Sequence, residues 1–367
     1  MQPAPSPAVR WVGLLVVPLV LIALLVLAAE GIVRVRQWSK FGSAGGFSSL
    51  YFTDERIGLR VLKPDMHIGR ISTNAFGFRG PAIAQPKPYD TIRLAFLGAS
   101  TTYCAEVSGE SQVWPALVTD ALRLRFPSAK FDFVNGGVPG YTVASSRKNL
   151  ANRIAALQPD VIVVYHATND LSGEVNRLAA EAGLRGNDFG QSWLERHSLL
   201  WELVVKNLRV WRATRRQSDG AGRLHVQAEK LGREFHDQLS GLLREAQATG
   251  AARVAIATFS THLRPGQTPT QQERAAVSAL VYMPFMTYQG LLDGFARYNA
   301  IVREVAGAEA ALLIDGEDTI PGDSVHFVDS VHFSDAGSQA MAKRVAEALA
   351  SDVVVQELVA TRKHQSK

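Results

Sequence analysis

Five letters, DSVHF, occur twice in close succession, at 323–327 and at 329–333, so an Asp stands three residues before a His in two places, Asp323/His326 and Asp329/His332. A His held by a carboxylate is a general base, and such a base activates a hydroxyl nucleophile. Ser100 offers that hydroxyl in the run FLGAST, where an apolar stretch ends in Gly98-Ala99-Ser100-Thr101-Thr102. A Ser between a strand and a helix can aim its hydroxyl and the neighbouring N–H groups at one point, although the same residue could simply cap the helix. Two further stretches carry donors for a developing oxyanion. NGGVPGYT, at 135–142, has glycines that let the backbone approach a ligand, or that merely turn the chain. In YHATND, at 165–170, the amide of Asn169 could donate to a negative oxygen, or close an Asx turn. Each signal has a bland reading by itself; in this order they compose the parts of serine-based acyl transfer.

The elements that must position these residues follow from the hydrophobic pattern. Residues 91–98, 131–135, 160–166, 253–258 and 310–315 read as strands, while 113–126, 143–157, 225–248, 290–306 and 335–350 have helical spacing. Alternation of this kind implies a parallel sheet covered on both faces, a three-layer α/β/α sandwich with right-handed crossovers. Ligands of such sheets bind at the carboxyl ends of the strands, and every candidate above except the Asp-x-x-His pairs follows a strand directly. Two stretches stand outside the alternation: a helical, tryptophan-bearing insertion within 171–224 (WLERHSLLWELVVKNLRVWRATRR at 193–216) and a loop insertion at 261–289. The tryptophans either pack these helices onto the body, or form an apolar lid or a surface facing a nearby bilayer.

Hydrophobic residues make up 47% and charged residues 20% of the 367, which describes a folded protein. The net charge of +5 is dispersed, with no dense basic and aromatic stretch, so nucleic acid is not an expected partner. A single cysteine, Cys104, excludes an intrachain disulfide and a thiolate metal cluster; it is expected as a small buried residue near the site. Residues 11–29 contain no charge, and at ~1.5 Å per residue a run of that length approaches the ~30 Å of a hydrocarbon core. With a poor cleavage site at its end, this run reads as an uncleaved anchor. The chain therefore divides into a tail (1–10), a transmembrane anchor (11–29), a linker and turn-rich segment (30–90), a main domain (91–350) and a C-terminal tail (351–367).

From 91 to 350 the chain resembles the SGNH/GDSL hydrolase superfamily, with its four blocks in the family's order. FLGAST resembles the nucleophile block, NGGVPGYT the second, YHATND the third and DSVHFSDAG the last, and TNAFGFRG (73–80) is similar to a segment that precedes the domain in membrane-anchored bacterial members. The resemblance implies a flavodoxin-like hydrolase fold and a serine esterase of acyl or acetyl esters. It implies Ser100 as nucleophile, His332 as base, Asp329 as its partner, and an oxyanion hole from the N–H groups of Ser100 and Gly140 and the amide of Asn169. It implies no cofactor and no metal. Its substrate would be a small acyl ester, a lipid or an O-acetylated glycan, with the domain outside the cytoplasm. That placement runs against the basic residues Arg34, Arg36 and Lys40 that follow the span. The same residues would serve an O-acetyltransferase or deacetylase of an exported polysaccharide. Ala99 replaces the Asp of Gly-Asp-Ser and Ala167 the usual Gly of the third block, and the first of these leaves a non-catalytic glycan-binding protein as a further alternative.

Between the two Asp-x-x-His copies, only the second runs into Ser334-Asp335 and a helical pattern. A His at the entrance to the last helix of the domain is where the resemblance wants the base, so Asp329/His332 is the expected pair. Asp323/His326 is then a surface echo.

Overall fold

The computed structural model describes residues 7–41, 50–184, 194, 197–205, 207–208, 211 and 227–365. The chain divides into two units, one of Met1–Ser49 with Phe189–Arg209, the other of Leu50–Asp188 with Val210–Lys367.

In the first unit, helix α1 (Pro7–Phe41) carries the apolar run. Its stretch Val16–Ser39, with mean hydropathy 2.7, is long and apolar enough to cross a membrane. Of the inserted segment, residues 194, 197, 199–205 and 207–208 are helical.

The second unit begins with two antiparallel hairpins, β1 (Tyr51–Asp54) with β2 (Leu59–Leu62) and β3 (His67–Ile68) with β4 (Ile71–Ser72). Its main sheet comprises β5 (Thr91–Gly98), β6 (Lys130–Asn135), β7 (Val161–Tyr165), β8 (Arg253–Ala257) and β9 (Leu312–Ile314), all parallel, in the order β6-β5-β7-β8-β9. Every residue of β5 and β7 is buried, as continuous apolar runs with helices on both faces require. Numbered from β5, the order is 2-1-3-4-5, and the chain switches direction across the sheet between β5 and β7. The crevice lies at the carboxyl end of that switch.

Helices α2 (Ser100–Tyr103), α3 (Trp114–Arg125), α4 (Val143–Asn149), α5 (Thr168–Glu181), α6 (Arg233–Ala248), α7 (Pro269–Tyr282), α8 (Tyr288–Ala308), α9 (Asp335–Ser351) and α10 (Val353–Gln365) complete the unit. Three sequence boundaries are corrected. The insertion does not start at 171, because Leu171, Val175 and Ala179 bury one face of α5 in the core at four-residue spacing. The stretch 261–289 is not a loop, since α7 occupies its middle behind a Thr268/Gln271 capping box with Pro269 in its first turn. Within the stretch read as a C-terminal tail, Val353–Gln365 form α10, which buries Val355 and Val359 and packs beside β5. Within the tryptophan-bearing segment, Trp201 and Trp211 are partly exposed, at 41% and 50%. Trp193 lies outside the described residues.

Candidate active site

Three strand ends at the switch converge. After β5, Ala99 leads into the single turn α2, whose first residue is Ser100. After β6 the chain turns at Gly140, at φ +87°, where the absence of a Cβ permits a left-handed backbone. Gly137 lies against α2 so closely that a Cβ there would stand 2.7 Å from the Tyr103 nitrogen and 2.9 Å from the Ala99 oxygen. After β7, Asn169 enters α5 and donates Nδ2–H to the carbonyl of Tyr141 at 2.8 Å, tying the Gly140 loop to the third strand end. The neighbouring Asp170 accepts from the N–H of Val143 at 3.0 Å, and burial pushes its carboxyl up to about 7.

His332 reaches this point from the far side of the sheet. Its Nε2 lies 2.8 Å from Ser100 Oγ and its Nδ1 2.7 Å from Asp329 Oδ2. The Oδ1 of Asp329 accepts the N–H groups of Val331 and His332, both at 2.9 Å, which closes an Asx turn around the carboxylate. Burial alone would raise the Asp329 carboxyl, but the His332 hydrogen bond and charge and these N–H groups hold it below the ordinary carboxylate value. Burial likewise disfavours the imidazolium of His332. The hydrogen bond that His332 donates to Asp329 and the charges of Glu106 and Asp329 outweigh that and keep the His332 value above ordinary. An ionised Asp329 only accepts hydrogen bonds, so Nδ1 carries the proton and Nε2 is left to accept from the Ser100 hydroxyl.

The first copy folds into the same turn. Asp323 Oδ1 accepts the N–H groups of Val325 and His326 at 3.0 Å and lies 2.8 Å from His326 Nδ1. Among the described residues no hydroxyl stands at His326 Nε2. Phe327 and Phe333, the last letters of the two copies, bridge as antiparallel partners. The copies thus sit back to back, and only the second faces the crevice. Helix α7, read as loop from the sequence, holds that second copy: Ala279 N–H donates to Ser330 Oγ and Ser330 N–H to Ser278 Oγ, both at 3.0 Å.

The carbonyl groups of residues 101–105, in α2 and just after it, all have donors. Thr101 O accepts from Trp114 Nε1–H at 3.0 Å, and Thr102 O from Asn135 Nδ2–H at 3.0 Å. Tyr103 O and Cys104 O accept from Arg79 Nη1 at 2.8 and 2.6 Å, and Ala105 O from Arg70 at 3.2 Å. Arg79 is 1% exposed. Its Nε donates to Glu110 at 3.1 Å, and Glu110 in turn takes the N–H of Ser72 at 2.8 Å. The TNAFGFRG stretch therefore supplies the floor under the turn that presents Ser100, and the segment before the main domain is part of the site. Cys104 is buried as expected, in the left-handed region at φ +59°.

Glu106 was not singled out by the sequence. Its Oε2 is buried without a hydrogen-bond partner among the described residues, burial raises its carboxyl, and the charge of His332 pulls the value back. A lone Glu in a short loop has no spacing signal, and only its proximity to His332 gives it meaning. Glu106→Gln removes an anion that favours the imidazolium, so the His332 value should fall. Because the base works when neutral, the acid limb of the kcat/KM profile should move to lower pH, with relative activity gained on the acid side. An unchanged acid limb in ester hydrolysis would refute this coupling.

The family model described as GDSL-like Lipase/Acylhydrolase family matches residues 96–340. No curated protein matches the chain. Among solved structures, Axe2, an acetylxylan esterase from Geobacillus stearothermophilus, is 16% identical, with 72% of this chain and 95% of that one covered at a TM-score of 0.41. A lipase/acylhydrolase from Enterococcus faecalis is 15% identical, with coverages of 71% and 95% and a TM-score of 0.42.

Proposed function

The chain belongs to the GDSL-like lipase/acylhydrolase family and is a carboxylic ester hydrolase, and from that premise we propose that Ser100, His332 and Asp329 are its catalytic triad, acting on acyl or acetyl esters. One observation carries this assignment: His332 bridges Ser100 Oγ at 2.8 Å and Asp329 at 2.7 Å. His332 Nε2 takes the proton of Ser100 as Oγ attacks the ester carbonyl carbon. The oxyanion forms where the N–H groups of Ser100 and Gly140 and the second amide hydrogen of Asn169 are offered. Collapse breaks the carbon–oxygen bond of the ester, and the imidazolium protonates the departing alcohol. Water then repeats the attack on the acyl-enzyme, giving its proton to His332; collapse breaks the bond to Ser100 Oγ, which takes that proton back as the acid is released. Asp329 stays ionised throughout and stabilises the imidazolium. Ala99 does not remove any group from this sequence of steps.

The same proposal places α1 as a membrane anchor, on the uncharged run that ends at Ala29 within the long apolar stretch Val16–Ser39, with the hydrolase domain outside the cytoplasm. One experiment tests both parts. A charged organophosphonate ester that does not cross the inner membrane, applied to spheroplasts, should label the full chain at Ser100 and fail to label Ser100→Ala. Labelling only after lysis would refute the placement, and absence of labelling in a folded chain after lysis would refute the triad.

A further inference from the structure

The tryptophan-bearing segment is not used by the chemistry above. In the first unit its helical residues begin at the C-terminal side of the apolar run, beside Glu30. The Glu30 carboxylate accepts from Ser198 Oγ–H at 2.8 Å and from the N–H groups of Leu199 and Leu200 at 3.1 and 2.9 Å. Ser198 Oγ in turn accepts the N–H of Trp201 at 3.1 Å. Arg34, one turn on, pairs with Glu30 at 2.8 Å and donates to the carbonyl of His197 at 3.1 Å.

This arrangement answers two needs together. The first N–H groups of a helix have no partners within it and attract an anion. A carboxylate next to an apolar span is costly unless it is paired. Glu30 follows the uncharged run 11–29 directly, so its hydrogen bonds fix the segment at the end of that run. From there the segment presents Trp201, Val204 and Leu208, which are 41%, 38% and 39% exposed. Their spacing of three and four residues places them along one helix face. An apolar stripe carrying a tryptophan, joined to the end of a membrane-spanning helix, lies at the depth where aromatic side chains concentrate in bilayers.

We propose that the helical residues 199–205 and 207–208 are a second membrane contact, an amphipathic stretch that lays the Trp201, Val204 and Leu208 stripe into the headgroup–acyl boundary of the lipid bilayer. This rests on the reading of α1 as an anchor. The occupant is lipid and not a protein partner because the segment is tied by hydrogen bonds to the end of the uncharged run itself, where a bilayer surface is the neighbour at hand. The insertion within the hydrolase sequence, and not the N-terminus alone, would then hold the protein to the membrane.

The test uses the full chain in phosphatidylethanolamine/phosphatidylglycerol vesicles. Single cysteines at Val204→Cys, Leu208→Cys, Glu202→Cys and Leu21→Cys are labelled with the environment-sensitive fluorophore NBD. Cys104 stays unlabelled, since it is buried and burial pushes its thiol up to about 12. The 204 and 208 probes should shift to the blue and lose emission to lipids brominated near the headgroup. The probe at 202, off the stripe, should do neither. The probe at 21, within the apolar run, should lose emission to lipids brominated deep in the chain. Water-like emission at both 204 and 208 with quenching at 21 overturns the second contact and leaves the anchor standing. Water-like emission at 21 overturns the anchor, and this inference with it.

Discussion

His332→Ala is expected to lower kcat/KM for ester hydrolysis by on the order of 10⁴–10⁶, while His326→Ala changes it by no more than about threefold. The contrast is informative because the two histidines share their neighbours in sequence and their local geometry. Each is preceded by an Asp whose carboxylate takes two backbone N–H groups and the imidazole Nδ1, at 2.7 to 3.0 Å. A test for an oriented histidine alone would therefore score both. The difference lies at the other nitrogen, where His332 has Ser100 Oγ at 2.8 Å. Without it, Ser100 must attack as a neutral alcohol with no acceptor for its proton. Measuring both variants with one nitrophenyl ester, with circular dichroism to show that each folds, checks the assignment. Equal losses in the two would mean that the loop matters as a structure and that His332 is not the base.

Asn169→Ala is expected to reduce kcat by ~10²–10³ with KM little altered, the usual consequence of removing one oxyanion donor. The prediction has to separate two roles, because the amide already spends one hydrogen on Tyr141 O at 2.8 Å and so braces the Gly140 loop. Asn169→Asp keeps the size of the side chain but places a negative charge where the oxyanion forms. If the donor role is real, Asp should be at least as damaging to kcat as Ala. If the residue only braces the loop, thermal stability should fall in both variants while kcat in the folded protein stays near the wild type. That second pattern would remove Asn169 from the mechanism and leave Ser100 and Gly140 as the donors.

The sheet and the four site blocks were legible because they rest on local patterns. An apolar run such as TIRLAFLG with a small residue at its end announces a buried strand and a tight exit, whatever the rest of the chain does. The choice of Asp329/His332 was also local, since Ser334 caps α9 through the N–H of Gly337 at 3.2 Å. The misread stretches divide into two kinds. Helix α7 carried a local signal, Thr-Pro-Thr-Gln at 268–271, a capping box with proline in the first turn. Here the sequence was explicit, and the surrounding loop residues obscured it. Helix α10 gave little to read, because Val355 and Val359 are its only buried apolar residues. Arg79 and Glu106 were beyond local reading altogether. An Arg in a turn-rich segment looks solvated, and burial of this one follows from carbonyl groups contributed 24 and 25 residues later. The chemistry of Glu106 likewise depends on His332, brought near only by the closing of the sheet.

The doubled DSVHF has a last consequence, which concerns the gene more than the enzyme. With a period of six, excision of any six consecutive residues that begins at positions 323 to 328 leaves one and the same chain, IPGDSVHFSDAG. Such a chain keeps every letter by which the base would be recognised. Yet Phe327 stacks on His262 at 5.8 Å and Ser330 accepts from Ala279 at 3.0 Å, and a single surviving copy cannot occupy both places. Identical in letters, the two units are not spare parts for one another. One is the hinge-post on which the other is hung.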